Sequence, residues 1–443
     1  MRSSVPKVLH PLAGVPIIEH VLRAAESLSP RQVVAVLDPG VPDAVDLLAG
    51  RATVAWQPEP LGTADAVRVA MPLIDPSVEW VVVLYGADPL VTPSLLGELV
   101  GRCRTEKPLI GMLTFQLHDP GPYGRVWEAD GRVTAVVEAA DDTRVYDGPV
   151  RLNSGIGCYD RAWLDRQLPD VPASPKGEYY LTSLFSAAAG EPHPRSPIIA
   201  VDGPAELLIG INDRIELAAA EQVLRSRKNE DLMRAGVTVV DPATTYIDID
   251  VEIGIDTRIE PGCLIKGHTR IGAACRIGPQ SVIDDSLLGD RVTVRSSWIE
   301  QSEIGADSDV GPYSHLRPGT LVASGVHIGN YVETKNASVG RGSSVGHVSY
   351  LGDARLGERV NIGAGTITCN FDGHQKHRTE IGDDAFIGSD TMLVAPLKVG
   401  RGARTGAGAV VNRDIPDGRT AVGVPARILG LERRAAGRID TEE

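Results

Sequence analysis

Between Tyr246 and Val399 aliphatic residues recur six apart: Ile247, Ile253, Ile259, Ile265, Ile271, Ile277 and Ile283 without a break, then Ile304, Val310, Leu316, Val322 and Ile328, then Ile381, Ile387, Leu393 and Val399. An α-helix repeats about every 3.6 residues and a half-buried strand about every two, so neither explains the spacing. A β-helix does, because each six-residue step forms one flat side of a coil and turns one aliphatic side chain inward. Stacked Ile and Val then make the core, which is how so long a stretch manages in a chain with four Phe. Two slips in the period, near "RSSWIEQ" and "NFDGHQKHRTE", are expected to be loops that leave the coil.

The first half has another rhythm. Helix-like "IIEHVLRAAESL", "DAVDLLAG" and "TADAVRVAMPLI" alternate with the β-branched runs "VVAVLD", "TVAWQ" and "WVVVLYG". That alternation predicts crossover units and a mostly parallel sheet, with ligands at the carboxyl ends of its strands. The ends "AWQPEPLGT" and "VVLYGADPL" are therefore where chemistry is expected. The stretch "DRIELAAAEQVLRSRKNEDLMRAG" opens on a capping box, Asp213 with Glu216, and closes on Gly236, which predicts one long helix. The organisation expected is an α/β domain at 1–211, a linking helix at 212–236, a coil at 237–430 and a charged, disordered tail at 431–443.

A formal charge of -14 argues against nucleic acid or an anionic membrane as partner, since both need a basic face. Cys103, Cys158, Cys263, Cys275 and Cys369 form no C-x-x-C pair and no zinc spacing, so reduced thiols in a cytoplasmic protein are expected. No apolar run reaches membrane-spanning length.

Polar residues concentrate from Arg317 to Lys376, in "HLRPG", "GNYVETKNA", "VGHVSYLGD", "VNIGAGTITCNFDG" and "HQKHRTEIGDD". On a coil these segments stack, so Arg317, Lys335 and Lys376 can share one groove and hold a phosphate. His347 is the natural general base there, imidazole being the side chain that titrates near neutrality. A histidine satisfied by a backbone carbonyl is the plainer reading.

The motifs "LRPG", "YLGDA", "NIGAGTITCN" and "IGDDAFIGSDT", with the six-residue repeat, make the chain resemble the bifunctional N-acetylglucosamine-1-phosphate uridyltransferase/glucosamine-1-phosphate N-acetyltransferase family over essentially its whole length. The resemblance implies an α/β nucleotidyltransferase (Rossmann-like) domain, a left-handed parallel β-helix of hexapeptide repeats, a homotrimer, and a place in UDP-N-acetylglucosamine synthesis for the cell wall. It makes His347 the base for the amine of glucosamine 1-phosphate. Arg317, Lys335, Tyr350, Asn361 and Lys376 become its sugar-phosphate ligands, and Ala364, Asn370, Phe371, Ser389 and Ala407 line an acetyl-CoA groove. Phe371 stands where the family usually has tyrosine, and "GVPARILG" departs from the family's tail.

In the first half the same resemblance assigns Lys7, Gln57, Gly62, Thr63, Tyr85, Gly86, Gly124, Glu138, Asn153 and Asn212 to a UTP and UDP-N-acetylglucosamine site. Mg²⁺ is expected there if the site works, with Asn212 and Asp88 as candidate ligands. Other parts depart from the pattern. The family begins with a strand and a Gly-rich phosphate loop, whereas this chain opens "MRSSVPKVLH" at that loop's methionine. Its metal-binding aspartate follows "YG" directly, where this chain has Ala87 and places the carboxylate at Asp88; along a strand, a shift by one reverses the side chain. Ala140 and Ser183 replace usual polar residues. A start codon assigned too late explains only the first departure; an altered domain explains all of them, so impaired uridyl transfer beside intact acetyl transfer is expected. A fully bifunctional enzyme, an acetyltransferase for another amino sugar, and a non-enzymatic sugar-nucleotide-binding assembly protein are the alternatives.

Overall fold

The computed structural model describes residues 1–429, in two compact units that divide between Leu224 and Arg225. The tail expected at 431–443 and the last residue of the stretch expected to end at 430 lie outside the described residues.

The first unit follows the predicted alternation: α1 (Ile17–Glu26), β1 (Val34–Leu37), α2 (Asp43–Leu48), β2 (Thr53–Trp56), α3 (Thr63–Ala70), β3 (Trp80–Val83), α4 (Pro93–Glu106), then β4 (Ile110–Leu117), β5 (Arg125–Ala129), β6 (Arg132–Val137), β7 (Val150–Asp160) and β8 (Ile198–Asp202). In α1 the apolar residues Ile17, Ile18, Val21 and Leu22 recur at helical spacing and are buried. The main sheet runs in the order β8, β4, β7, β5, β6, with β3 also on β7.

That sheet is mixed, which corrects the mostly parallel expectation. β8 is parallel to β4, but β7 is antiparallel to β3, β4 and β5. The reason is local: β7 returns from the β5–β6 hairpin instead of through a helical crossover, so nothing obliges it to run parallel. β1 and β2 pair with each other, in parallel, as a separate two-stranded sheet.

The long helix forms over Arg214–Arg234, and the division between units falls inside it. Its capping box is reciprocal: the Glu216 N–H donates to Asp213 Oδ1 at 2.9 Å and the Asp213 N–H to Glu216 Oε2 at 3.2 Å. Gly236 follows with φ of 95°, the left-handed stop that glycine allows.

The second unit is a parallel β-helix. Three sheets stack along it, of 12, 10 and 9 strands, in which strands pair with those a full coil later, as Ile259 with Ile277 and Ile265 with Ile283, until the 12-stranded sheet closes on an antiparallel pair, Ala421 with Ile428. The inward column behaves as the period requires: Ile259, Ile265, Ile277, Ile283, Val310, Leu316, Ile328, Ile387 and Leu393 are all 0% exposed. At the coil's start Asn229 Nδ2 donates to the carbonyls of Pro242 and Thr245, and Lys228 Nζ to those of Ile249 and Val251.

One interruption differs from expectation. "RSSWIEQ" stays in the coil, with Thr293–Arg295 and Trp298–Glu300 as regular strands. The period slips there because some corners are a residue shorter, turned by Asp285, Ser296 and Gln301 at φ of 43°, 41° and 41°. The second interruption does leave the coil: Phe371 and Lys376 bridge across a hairpin-like loop.

Candidate active sites

In the first unit every residue assigned to the nucleotide site, Lys7 through Asn212, lines one cavity of about 1180 Å³, and so does Asp88. Chain segments far apart are tied together around it. Thr63 Oγ1 accepts from the Leu181 N–H at 3.0 Å, Thr182 Oγ1 donates to Glu138 at 2.6 Å, and the Ile211 N–H donates to the Ala87 carbonyl at 2.9 Å. Tyr85 lies on Gly155, where a Cβ would sit 2.0 Å from its ring, so only glycine fits beneath it. Burial pushes the Tyr85 hydroxyl up to about 12. Ala140 and Ser183, read from sequence as lesions, do not line the cavity.

Asp88 is the larger surprise. β3 ends at Val83, and Tyr85 to Asp88 form a turn closed by the Asp88 N–H on the Tyr85 carbonyl at 3.1 Å. Strand alternation therefore does not govern it. Its carboxylate is buried at 6% exposure in the wall of the cavity, near Lys7, whose Nζ donates to Asn212 Oδ1 at 3.1 Å. Burial raises the Asp88 pKa from 3.8 to about 7, against the opposing pull of Lys7. The folded chain thus holds this proton more tightly than the unfolded one, so the group's contribution to stability declines as pH rises from about 4 to about 7. Asp88→Asn is expected to flatten the melting temperature of the first unit across that window; an unchanged slope in thermal melts would count against the buried placement.

Asp88 and Asn212 offer two oxygens to a cation, and among the described residues no cluster of three or more His, Cys, Asp or Glu exists. Asp88 and the Asn212 amide oxygen, which also accepts from Lys7 Nζ, are the groups that would hold a Mg²⁺, whose remaining ligands would have to be phosphate oxygens and water.

On the coil, two edges of one face carry the candidates. Arg317, Lys335 and Tyr350 project from the 10-stranded sheet, and the loop returns Lys376 to them. Lys335 loses basicity because the Lys376 ammonium, then the Arg317 guanidinium, crowd it, so three cations converge on one spot. Asn370 Nδ2 and Asn336 Nδ2 both donate to Asp353, each at 2.6 Å. Burial would raise that carboxyl, but these amides overcome it and hold it low. The loop is fastened by Asp372, held down at about 2 by the Gln375 N–H, the His377 ring and the His374 N–H.

At the other edge a continuous ridge forms. The carbonyls of Asn330, His347, Ala364 and Ser389 accept, in turn, from the N–H groups of Val348, Gly365, Asp390 and Gly408 in the next coil. His347, Ala364, Ser389 and Ala407 thereby line up along one corner. Asn361 is elsewhere, on the 12-stranded sheet between Ser344 and Phe386. Phe371 is 60% exposed beside Asn370.

Three polar partners were not foreseen from sequence. Asn330 Oδ1 bonds His347 Nδ1, Glu333 accepts from Arg317 Nη1 at 2.8 Å, and Asp353 anchors the two amides. Each sits about one coil, 16 or 17 residues, from its partner, so only the coil repeat could have signalled them.

Comparison with known proteins finds a family model in each unit. Residues 1–147 match the MobA-like NTP transferase domain model, and residues 247–340 match the GMPPB C-terminal domain model. Bifunctional protein GlmU of Heliobacterium modesticaldum is 43% identical, the match spanning 95% of this chain and 92% of that protein. Bifunctional protein GlmU of Alkalilimnicola ehrlichii is 45% identical over 94% and 90%, and that of Corynebacterium efficiens 40% over 95% and 88%.

Proposed function

The chain belongs to the bifunctional GlmU family, and from that premise we propose that its coil transfers acetyl from acetyl-CoA to the 2-amino group of glucosamine 1-phosphate, on the route to UDP-N-acetylglucosamine. The observation that carries this reading is the ridge aligning His347 with Ala364, Ser389 and Ala407 at the edge of the face that bears Arg317, Lys335 and Lys376.

The cation cluster suits a sugar phosphate, and Tyr350 and Asn370 border it. The amine attacks the thioester carbonyl, the carbon–sulfur bond breaks, and CoA leaves as thiolate. His347 Nε2 takes the amine proton and then serves the departing sulfur. With Nδ1–H donating to Asn330 Oδ1, the lone pair stays on Nε2.

Oligomerisation belongs to the same reading. The outward column of the 10-stranded sheet is largely apolar, including Tyr246, Leu264, Val282, Trp298, Ile367 and Met392, whereas that of the 9-stranded sheet carries Glu252, Arg270, Glu303, Arg355 and Lys398. Asn361 lies on a different face from the cation cluster, so a site using both needs another copy. A homotrimer is expected, and a monomeric mass by light scattering at micromolar concentration would count against it.

Uridyl transfer from UTP to N-acetylglucosamine 1-phosphate is proposed to be weak in this chain. Asp88 and Asn212 would hold Mg²⁺, which neutralises charge developing on the transferred phosphate. What argues for weakness is Ala87, which stands where the family places its metal-binding aspartate, with the carboxylate moved to Asp88. Assayed side by side, CoA release with glucosamine 1-phosphate is expected to exceed pyrophosphate release from UTP by about 100-fold or more. Comparable rates would leave a fully bifunctional enzyme.

A further inference from the structure

The loop that carries Lys376 leaves the coil after Asn370 and returns at His377, whose N–H donates to the Asn370 carbonyl at 2.7 Å. Both stems of this loop are fastened on Asp353. Its carboxylate accepts from Asn370 Nδ2 at 2.6 Å, and its main-chain carbonyl accepts from the Thr379 N–H at 3.2 Å. One coil earlier, the Asp353 N–H donates to the Lys335 carbonyl at 3.0 Å, and the carboxylate also takes the Asn336 amide. Asp353 turns this corner at φ of 49°, a conformation that Asp, Asn and Gly adopt more readily than other residues.

These bonds fix which way the Asn370 amide faces. An ionised carboxylate, as Asp353 is held, can only accept, so an amide against it must give it the NH2 group and keep its carbonyl oxygen for something else. Asn370 is 8% exposed, and its Oδ1 accepts from no group among the described residues. The amide shares the space over Gly352 with the Tyr350 hydroxyl, since a Cβ on Gly352 would collide with both. Gly352 is in turn the register partner of Lys335. An unspent acceptor therefore stands beside the cations. A phosphate, itself an acceptor, has no use for it, whereas a ligand with N–H or O–H groups does.

We infer that Asp353 is a positioning residue of the acetyl-acceptor site: by holding the Asn370 NH2 it presents Asn370 Oδ1 to an amine or hydroxyl of the sugar whose phosphate the cations hold. The inference rests on the acetyl-transfer reading above. Asp353 acts here as an acceptor and not through its charge, because a negative group beside Lys335 and Lys376 opposes phosphate binding.

Two variants keep the left-handed corner and separate these parts. Asp353→Gly removes the acceptor. Asp353→Asn removes the charge but keeps an oxygen for Asn370, since Asn336 is exposed and can turn its amide over to meet the new NH2. In the full chain, followed by CoA release, Asp353→Gly is expected to raise the KM for glucosamine 1-phosphate at least about tenfold while the KM for acetyl-CoA stays within about twofold. Asp353→Asn is expected to raise the former by less than about threefold. Inorganic phosphate, as a competitive inhibitor, is expected to bind both variants no more weakly than the unaltered chain, because the Thr379 bond still holds the loop and an opposing charge has gone. An unmoved KM in Asp353→Gly overturns the inference, as does a rise confined to acetyl-CoA, which would turn Asn370 toward the acyl donor. So does an equal rise in both variants, which would make the charge the operative feature. Phosphate weakened in step with the sugar phosphate also overturns it, since the loop would merely have lost its support. If the unaltered chain releases no CoA, the acetyl-transfer reading itself fails and takes the inference with it.

Discussion

Replacing His347 by alanine is expected to lower turnover in acetyl transfer by about 10² to 10⁴, the range of a general base, while the KM for glucosamine 1-phosphate changes little. The separation follows from geometry. His347 stands on a corner ridge, whereas Arg317, Lys335 and Lys376 hold the other edge of the face, so the base and the anchor are different groups. Asn330 gives a second, finer test. Asn330→Ala frees the ring to change tautomer and is expected to cost turnover about tenfold. Asn330→Asp places a carboxylate against Nδ1, stabilises the imidazolium, and is expected to move the acid limb of the rate profile to higher pH. Turnover by His347→Ala equal to that of the unaltered chain would remove the base from the scheme, and unmoved limbs in Asn330→Asp would remove its orienting partner.

The second large effect is structural. Gly329 lies under the coil that carries His347, and a Cβ there would sit 1.7 Å from the Gly346 carbonyl oxygen. No rotamer relieves a collision with backbone, so the coils must separate where Val345 and Gly346 pack. Gly329→Ala is expected to destabilise the second unit by about 3 kcal/mol, the upper end of ordinary overpacking. Acetyl transfer should fall with it, because Asn330 and His347 directly follow the displaced residues. Gly325→Ala is the comparison: its φ is 69° but the space around it is open, so about 1 kcal/mol of backbone strain is expected. Denaturation midpoints for the two variants that coincide would show that the collision is relieved.

How far the sequence could be read depended on whether a feature repeats locally. The six-residue spacing identified the coil because each inward Ile or Val makes the same contact one coil later, and the capping box of Asp213 and Glu216 lies within one helical turn. "RSSWIEQ" misled because a corner shortened by one residue and a loop insertion disturb a period alike. Asp88 misled for a related reason: where β3 stops decides whether alternation applies, and strand ends are set by pairing with β7, far along the chain. The mixed sheet, too, was hidden in connection geometry, since β7 looks like any β-branched run.

By itself the sequence determined the coil, its aliphatic core, the α/β rhythm before it, the family, and the residue types available for acyl transfer, all of which rest on contacts at regular or short separation. Only the tertiary structure decided that Asn330 meets His347, that Asp88 turns into the cavity, and that Asn361 stands apart from the cations. Those outcomes depend on which backbone groups, many residues apart, satisfy one another's hydrogen bonds, and no local pattern encodes that pairing.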